Sequence, residues 1–228
     1  FMKIVLHQSQ DRGHVNHGWL DAKHSFSFAT WMNPDRMNFG ALRVLNDDTI
    51  APGMGFGEHG HDNMEIVTIP LAGQIEHKDS MGNGEILEAG EVQVMTAGTG
   101  IRHSEFNPNH HLETELFQIW ILPRKKDTPT DYGQRAFSPT DRQGKWQVLA
   151  SPDGDNSPES PGPLKIHQDA WFSRIDLSAG KQATYSLHGS AHGVYLMVIE
   201  GEIIVKGQTL YKRDAIGISH TNDFHIET

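Results

Sequence analysis

The sequence predicts an all-β protein, a sandwich or barrel built twice over, and three observations carry that reading. Short runs rich in Val, Ile, Leu and aromatic residues alternate with clusters of Gly, Pro, Asn and Asp, while helix-period patterns with capping residues are scarce. The chain has 228 residues, enough for one large all-β domain or two small ones with a sizeable core. An apolar run, a Gly turn and a restart occur at Ile69-Pro70-Leu71-Ala72-Gly73-Gln74-Ile75 and again at Met197-Val198-Ile199-Glu200-Gly201-Glu202-Ile203.

In order along the chain, strands are expected at 25–28, 42–46, 64–71, 73–78, 92–97, 101–106 and 116–122. Turns punctuate them at Asp47-Asp48, Pro52-Gly53, Met81-Gly82-Asn83-Gly84 and Ala97-Gly98-Thr99-Gly100. The stretch 123–140 is polar and charged and reads as a linker. Residues 151–163, rich in Pro, Gly, Ser and Asp, read as a long exposed loop. Beyond it a second β-rich block carries expected strands near 171–177, 194–199, 202–205 and 215–219.

Composition narrows the function. Lys and Arg total 19 against 29 Asp and Glu, a formal charge of −10, so the surface repels phosphate backbones and direct nucleic-acid binding is not expected. There is no cysteine, which leaves His and carboxylates as the available metal ligands. The longest apolar run, Val194 to Ile199, is far too short to span a bilayer, and no signal segment is visible. The expected location is cytoplasmic, with no membrane partner.

The chemically specific feature is a pair of short motifs, His59-Gly60-His61 and His103-Ser104-Glu105. Spacing i, i+2 on a strand points both side chains to one face. Two such strands side by side could converge three imidazoles and a carboxylate on one divalent metal. Each motif follows a Gly-rich turn, at 52–57 and 98–100. Chance pairs are common with fifteen histidines, and His7, His110 and His111 are expected to be solvated. Aligning Gly201 with Gly73 puts Leu187 and Gly189 where His59 and His61 sit, so His188 and His192 fall out of phase. The second block is therefore expected to lack the metal.

The stretch Gly53-x5-His59-x-His61-x3-Glu65, ending at Gly73, resembles the first cupin motif. Gly90-x5-Thr96-x-Gly98, continuing to His103-x3-Asn107, resembles the second, with Thr for the usual Pro and two extra residues before the His. More narrowly, five segments together are similar to the pirin family of two-domain cupins. They are Arg12-Gly13-His14, His17-Gly18-Trp19, His24-x-Phe26-Ser27-Phe28, His77-x-Asp79-Ser80 and Thr96-Ala97-Gly98-x-Gly100-Ile101-x-His103-x-Glu105. The resemblance implies two cupin-type jelly-roll β-barrels (a bicupin) packed face to face. The division expected is a metal-binding domain at 1–134 and a metal-free one at 135–228. It also implies a further strand beyond 224–228, whose lack would expose an edge in the second domain.

The same resemblance implies His59, His61, His103 and Glu105 as ligands to one divalent metal, usually Fe(II), with Zn, Mn, Co or Ni also possible. Glu65 is the competing carboxylate. Four residues of straight strand cover about 13 Å, so it reaches the metal only if the chain bends near Asp62-Asn63; otherwise it orients a His or is structural. Three neutral imidazoles and one carboxylate leave about +1 on the ion and open positions for water, substrate or O2. A closed tetrahedral zinc site is the competing structural reading.

Bacterial relatives imply quercetin 2,3-dioxygenase activity, with a flavonol and O2 as reactants. Glu105, if it loosens from the metal, would accept the proton of the flavonol 3-hydroxyl, and Phe39, Met54, Phe56 and Phe106 are candidate pocket walls, each with a competing reading as core. Other relatives, chiefly eukaryotic, imply an iron-dependent redox sensor that binds a protein partner such as a transcription regulator. A zinc hydrolase ranks third, because no further His or Glu at useful spacing announces a general base.

Overall fold

The computed structural model describes residues 1–228, and apart from two single 3-10 turns at Ser9–Asp11 and Pro139–Arg142 its regular structure is β-strand. No helix is long and apolar enough to cross a membrane. The chain forms two compact units, one from 13–138 and 148–173, the other from 1–12, 139–147 and 174–228.

This differs from a single division at 134/135, and the reason is strand pairing. Lys3–His7 lies antiparallel to Ala215–Ser219. The Ser9 amide donates to Asp214 Oδ1 at 2.7 Å, and His7 Nδ1 meets the Tyr195 hydroxyl at 2.9 Å. The first residues thus belong with the last. His7, expected to be solvated, is 8% exposed.

The larger unit holds a seven-stranded antiparallel sheet in the order Asp131–Ala136, Glu91–Thr96, Glu65–Ala72, Thr114–Ile121, Leu42–Ile50, Leu20–His24, Gly13–Asn16. A four-stranded sheet runs Gly55–His61, Ile101–Phe106, Gln74–Asp79, Gly84–Glu88. Apolar clusters join the two sheets: Leu20, Ala22, Ile50 and Leu116 with Ile75 and Leu87, and Ile66 and Met95 with Ile101. This is the inner face of a β-sandwich.

One layer of that interior is polar. Residues in register across neighbouring strands share a face, and His24, Asn46, Gln118, Thr68, Gln93 and Gln134 are in register across six strands. All but Gln134 are buried. A row of hydrogen-bonding groups therefore crosses the large sheet, with the apolar row Val44, Trp120, Ile66, Met95 beside it.

Several expectations fail for stated reasons. Residues 25–28 are not a strand; Leu20–His24 is. After it the chain leaves the ladder, with the Ser27 amide donating to the Arg36 carbonyl at 2.7 Å and only an isolated bridge from Phe28 to Trp31. The supposed linker contains the strand Asp131–Ala136. Its polar side chains conceal it, because Arg135 donates to the carbonyls of Gly162, Asp155 and Ser157 at 2.7, 2.9 and 2.7 Å. The same three bonds tie down the long exposed loop expected at 151–163, which has no regular structure beyond Ser151.

In the smaller unit, Ala215–Ser219 pairs with Lys3–His7 and Gly193–Met197, while Asp223–Glu227 lies between Gln182–Ser186 and Ile203–Val205. Residues 223–227 are thus bonded on both sides rather than lying at an edge. Val198, Val205, Leu210, Ile216, Ile218, Phe224 and Ile226 form its core. Gly73 and Gly201, matched in the repeat, both sit at positive φ (77° and 83°) in the turn between two strands, a conformation that favours glycine.

Candidate metal centre

His59 and His61 lie on the 55–61 strand, His103 and Glu105 on the 101–106 strand beside it. His103 is directly opposite His59, but Glu105 is opposite Phe56 rather than Gly57, because the ladder slips at a bulge between them. A bulge re-aims the side chains that follow it. Here it turns Phe56, His59 and His61 to one face despite the odd spacing of the first two. The bulge also orients a ring: His59 Nδ1 donates to the Gly57 carbonyl at 2.7 Å, leaving Nε2 turned to the site. Gly55 is required, since a Cβ there would run into the Glu105 carbonyl and the Phe106 Cα.

The three imidazoles converge. His103 Nε2 lies 2.9 Å from His59 Nε2 and 3.0 Å from His61 Nε2, and the possible ligand atoms of all three lie within 4.8 Å of one another. Burial, helped by the neighbouring imidazoles, pushes His61 down to about 4 and His103 to about 3. Both rings are therefore neutral near pH 7. Nitrogens about 2.1 Å from one ion and at right angles to each other stand about 3 Å apart, so the spacing suits a metal. The donor set fits as well, being imidazole and carboxylate without thiolate.

Glu105 lies beside this cluster of three histidines. Its Oε1 is 3.6 Å from His103 Nε2, and Gln118 Nε2 donates to both carboxylate oxygens at 3.1 and 3.3 Å. Burial pushes its carboxyl up to about 7, against the opposing pull of the Gln118 hydrogen bond. A cation among the imidazoles is the group that would offset this cost.

Glu65 lies elsewhere. Ile66 faces the barrel interior with Met95 and Trp120, so Glu65, one residue earlier, faces outward in register with Thr96. Its Oε1 accepts from Thr96 Oγ1 at 2.8 Å and from the His167 amide at 2.6 Å. It anchors the 164–167 segment and neither reaches nor orients the imidazoles. His188 and His192 sit on the loop between Gln182–Ser186 and Gly193–Met197.

An open cleft of about 730 Å³ adjoins His61, lined by Met64, Ile101 and Trp120 with Asp62, Ser80 and Arg102 at its rim. Trp120 meets the His61 ring edge-on at a centroid distance of 5.1 Å. Among the expected walls, Phe56 packs on Trp19 inside the barrel, Met54 and Phe106 are exposed, and Phe39 pairs with Leu42. None of the four lines the cleft. Gln118 and Trp120 escaped notice because they lie within an ordinary apolar strand. Their i, i+2 spacing, the same signal that marks the histidines, was the available clue.

The Pirin family model matches residues 5–121, and a model described as the quercetinase C-terminal cupin domain matches residues 148–228. Quercetin 2,3-dioxygenase of Escherichia coli K12 is 44% identical over 94% of this chain and 89% of its own length. A pirin-like protein of Caulobacter vibrioides is 45% identical over 90% of this chain and 86% of its own. The crystal structure of the bacterial pirin YhhW from Escherichia coli in complex with nickel(II) superposes with a TM-score of 0.90. It is 42% identical and covers 98% of this chain and 93% of that one. With both halves matched and the fold shared along nearly its whole length, this chain belongs to the pirin family of two-domain cupin proteins.

Proposed function

We propose that the chain is a mononuclear metal-dependent dioxygenase that cleaves a flavonol such as quercetin with O2. The observation that carries this reading is the convergence of three imidazoles, with a buried carboxylate beside them, next to an open cleft lined in part by Trp120. Similarity to a quercetin 2,3-dioxygenase at 44% identity and to a nickel(II)-bound bacterial pirin at 42% identity supports it.

His59, His61, His103 and Glu105 would hold the ion, and Fe(II) is the metal we favour over Mn, Co, Ni or Zn. When bound, the ion supplies Lewis acidity toward the flavonol 3-hydroxyl and a centre for O2 chemistry. The residues do the rest. A Glu105 carboxylate oxygen accepts the 3-hydroxyl proton, and burial, which favours the protonated form, keeps it there. Gln118 stays within hydrogen-bond reach of both oxygens and fixes the carboxylate plane. Trp120, Met64 and Ile101 offer a flat apolar wall to the aromatic rings and exclude water from that side.

Anaerobic addition of quercetin to the iron-loaded protein tests the reading. The flavonol absorption band is expected to shift, and aerobic oxygen uptake is expected to vanish in His103→Ala. An unshifted band with no uptake would remove the enzyme reading, and redox-dependent binding of a protein partner would then favour the sensor.

A further inference from the structure

The barrel interior holds a second histidine–carboxylate pair that the proposed reaction does not use. The 74–79 strand flanks the 101–106 strand on the side away from His59, with His77 directly opposite Glu105 and Asp79 directly opposite His103. In-register residues share a face, so His77 and Asp79 point the same way as the two candidate ligands. His77 Nε2 lies 2.6 Å from Asp79 Oδ2, with side-chain exposures of 1% and 0%. A carboxylate accepts, so Nε2 carries the hydrogen and the tautomer is fixed.

Asp79 is itself held. Its Oδ1 accepts from the amides of Met81 and Asn83 at 2.8 and 3.1 Å, and its Oδ2 from Asn83 Nδ2 at 2.8 Å. The turn that supplies these donors is clamped to the residue before His103. The Ser80 amide donates to the Arg102 carbonyl at 2.8 Å, and the Arg102 amide donates to Ser80 Oγ at 3.0 Å. The His77 ring, fixed by Asp79, packs against the His103 ring at a centroid distance of 5.3 Å and 63°. Its other contact is Tyr132 at 5.1 Å and 34°. His103 Nδ1 is buried and has no hydrogen-bond partner, so on the side away from His59 and His61 no hydrogen bond fixes the ring, and the packing of His77 supports it there.

We propose that His77 and Asp79 are positioning residues: the carboxylate locks the His77 ring, and that ring holds the His103 imidazole against His59 and His61. The pair thereby sets the geometry and affinity of the metal site. Outer groups of this kind typically change metal affinity by about 10- to 100-fold. The inference rests on His103 as a ligand and is independent of the flavonol reading.

The test compares wild type, His77→Gln and Asp79→Asn, each loaded with Co(II). His77→Gln keeps a donor for Asp79 but removes the ring, and Asp79→Asn keeps the shape but removes the charge. Both are expected to shift the visible Co(II) bands and to weaken Co(II) binding, measured by chelator competition, by about 10-fold or more. Asn83→Ala, which strips one donor from Asp79 outside the barrel interior, is the milder variant should the others fold poorly. It is expected to move the same bands by less. Bands and affinity within twofold of wild type in the folded variants would overturn the proposal, whether or not the metal-free proteins melt at lower temperature. Flavonol turnover is not read, so the two proposals stand or fall separately.

Discussion

His103 stands directly opposite His59 on the neighbouring strand, and their Nε2 atoms are 2.9 Å apart. Each ring is anchored from behind, His59 by the Gly57 carbonyl and His103 by its packing in the barrel. Neither can turn its lone pair aside cheaply. A shared cation is the simplest occupant of the space they face. His103→Ala is therefore expected to reduce bound metal to less than about a tenth of wild type, by elemental analysis. It should also abolish the rise in melting temperature on metal addition, since a ligand that binds only the native state raises it. Full metal content in the variant would count against the assignment.

Gln118 is the only side chain hydrogen-bonded to the Glu105 carboxylate, through Nε2 to both oxygens. Trp120 Nε1 donates to its Oε1 at 3.4 Å, so the amide is fixed at both ends. Gln118→Leu keeps the volume and removes the donor. Metal affinity is expected to weaken by about 10- to 100-fold, measured by chelator competition, with stoichiometry near one at saturation.

Glu65 predicts the opposite pattern. Its carboxylate accepts two hydrogen bonds on the outer face of the large sheet, one from the backbone of the 164–167 segment. Glu65→Ala leaves the Thr96 hydroxyl and the His167 amide without a partner in a buried setting. Unfolding free energy is expected to fall by about 1–3 kcal/mol in urea, with metal content unchanged. Loss of metal without loss of stability would return Glu65 to the site.

The contrast between Glu105 and Glu65 shows what the sequence could and could not convey. Strand period singles out His59, His61, His103 and Glu105 as candidates because i, i+2 spacing is local; the three histidines converge, and Glu105 lies 3.6 Å from His103. The face on which Glu65 falls depends on the register of a continuously apolar strand, buried on both sides, where alternation carries no information. The bulge opposite Ser104 is invisible for a similar reason: it is a property of two paired strands, not of either alone. Lys3–His7 joins a sheet more than two hundred residues away, and no local pattern announces that partner. His77 and Asp79 have the same i, i+2 signature as the ligands. Only the pairing with the 101–106 strand shows that they face the same interior.

Asp48 gives a pH prediction. It is 3% exposed, in register between Ala22 and Leu116, and its Oδ1 has no partner. Burial, reinforced by the charges of Asp47 and Glu105, pushes its carboxyl up to about 8. In the unfolded chain the group titrates near its ordinary value of about 3.9. Between these limits the folded protein holds a proton that the unfolded chain has released, so this group's contribution to stability falls as pH rises. The slope is at most ~1.4 kcal/mol per pH unit, and it vanishes above about 8. His61 and His103, pushed down by burial, act with the opposite sign below about 6.5 and largely cancel when a variant is compared with wild type. Asp48→Asn does not titrate at this position. Its unfolding free energy relative to wild type is thus expected to increase steadily from pH 5 to pH 8 and then level off, measured by urea denaturation of metal-depleted protein. A difference that stays constant across that range would show that Asp48 is ionised in the native barrel.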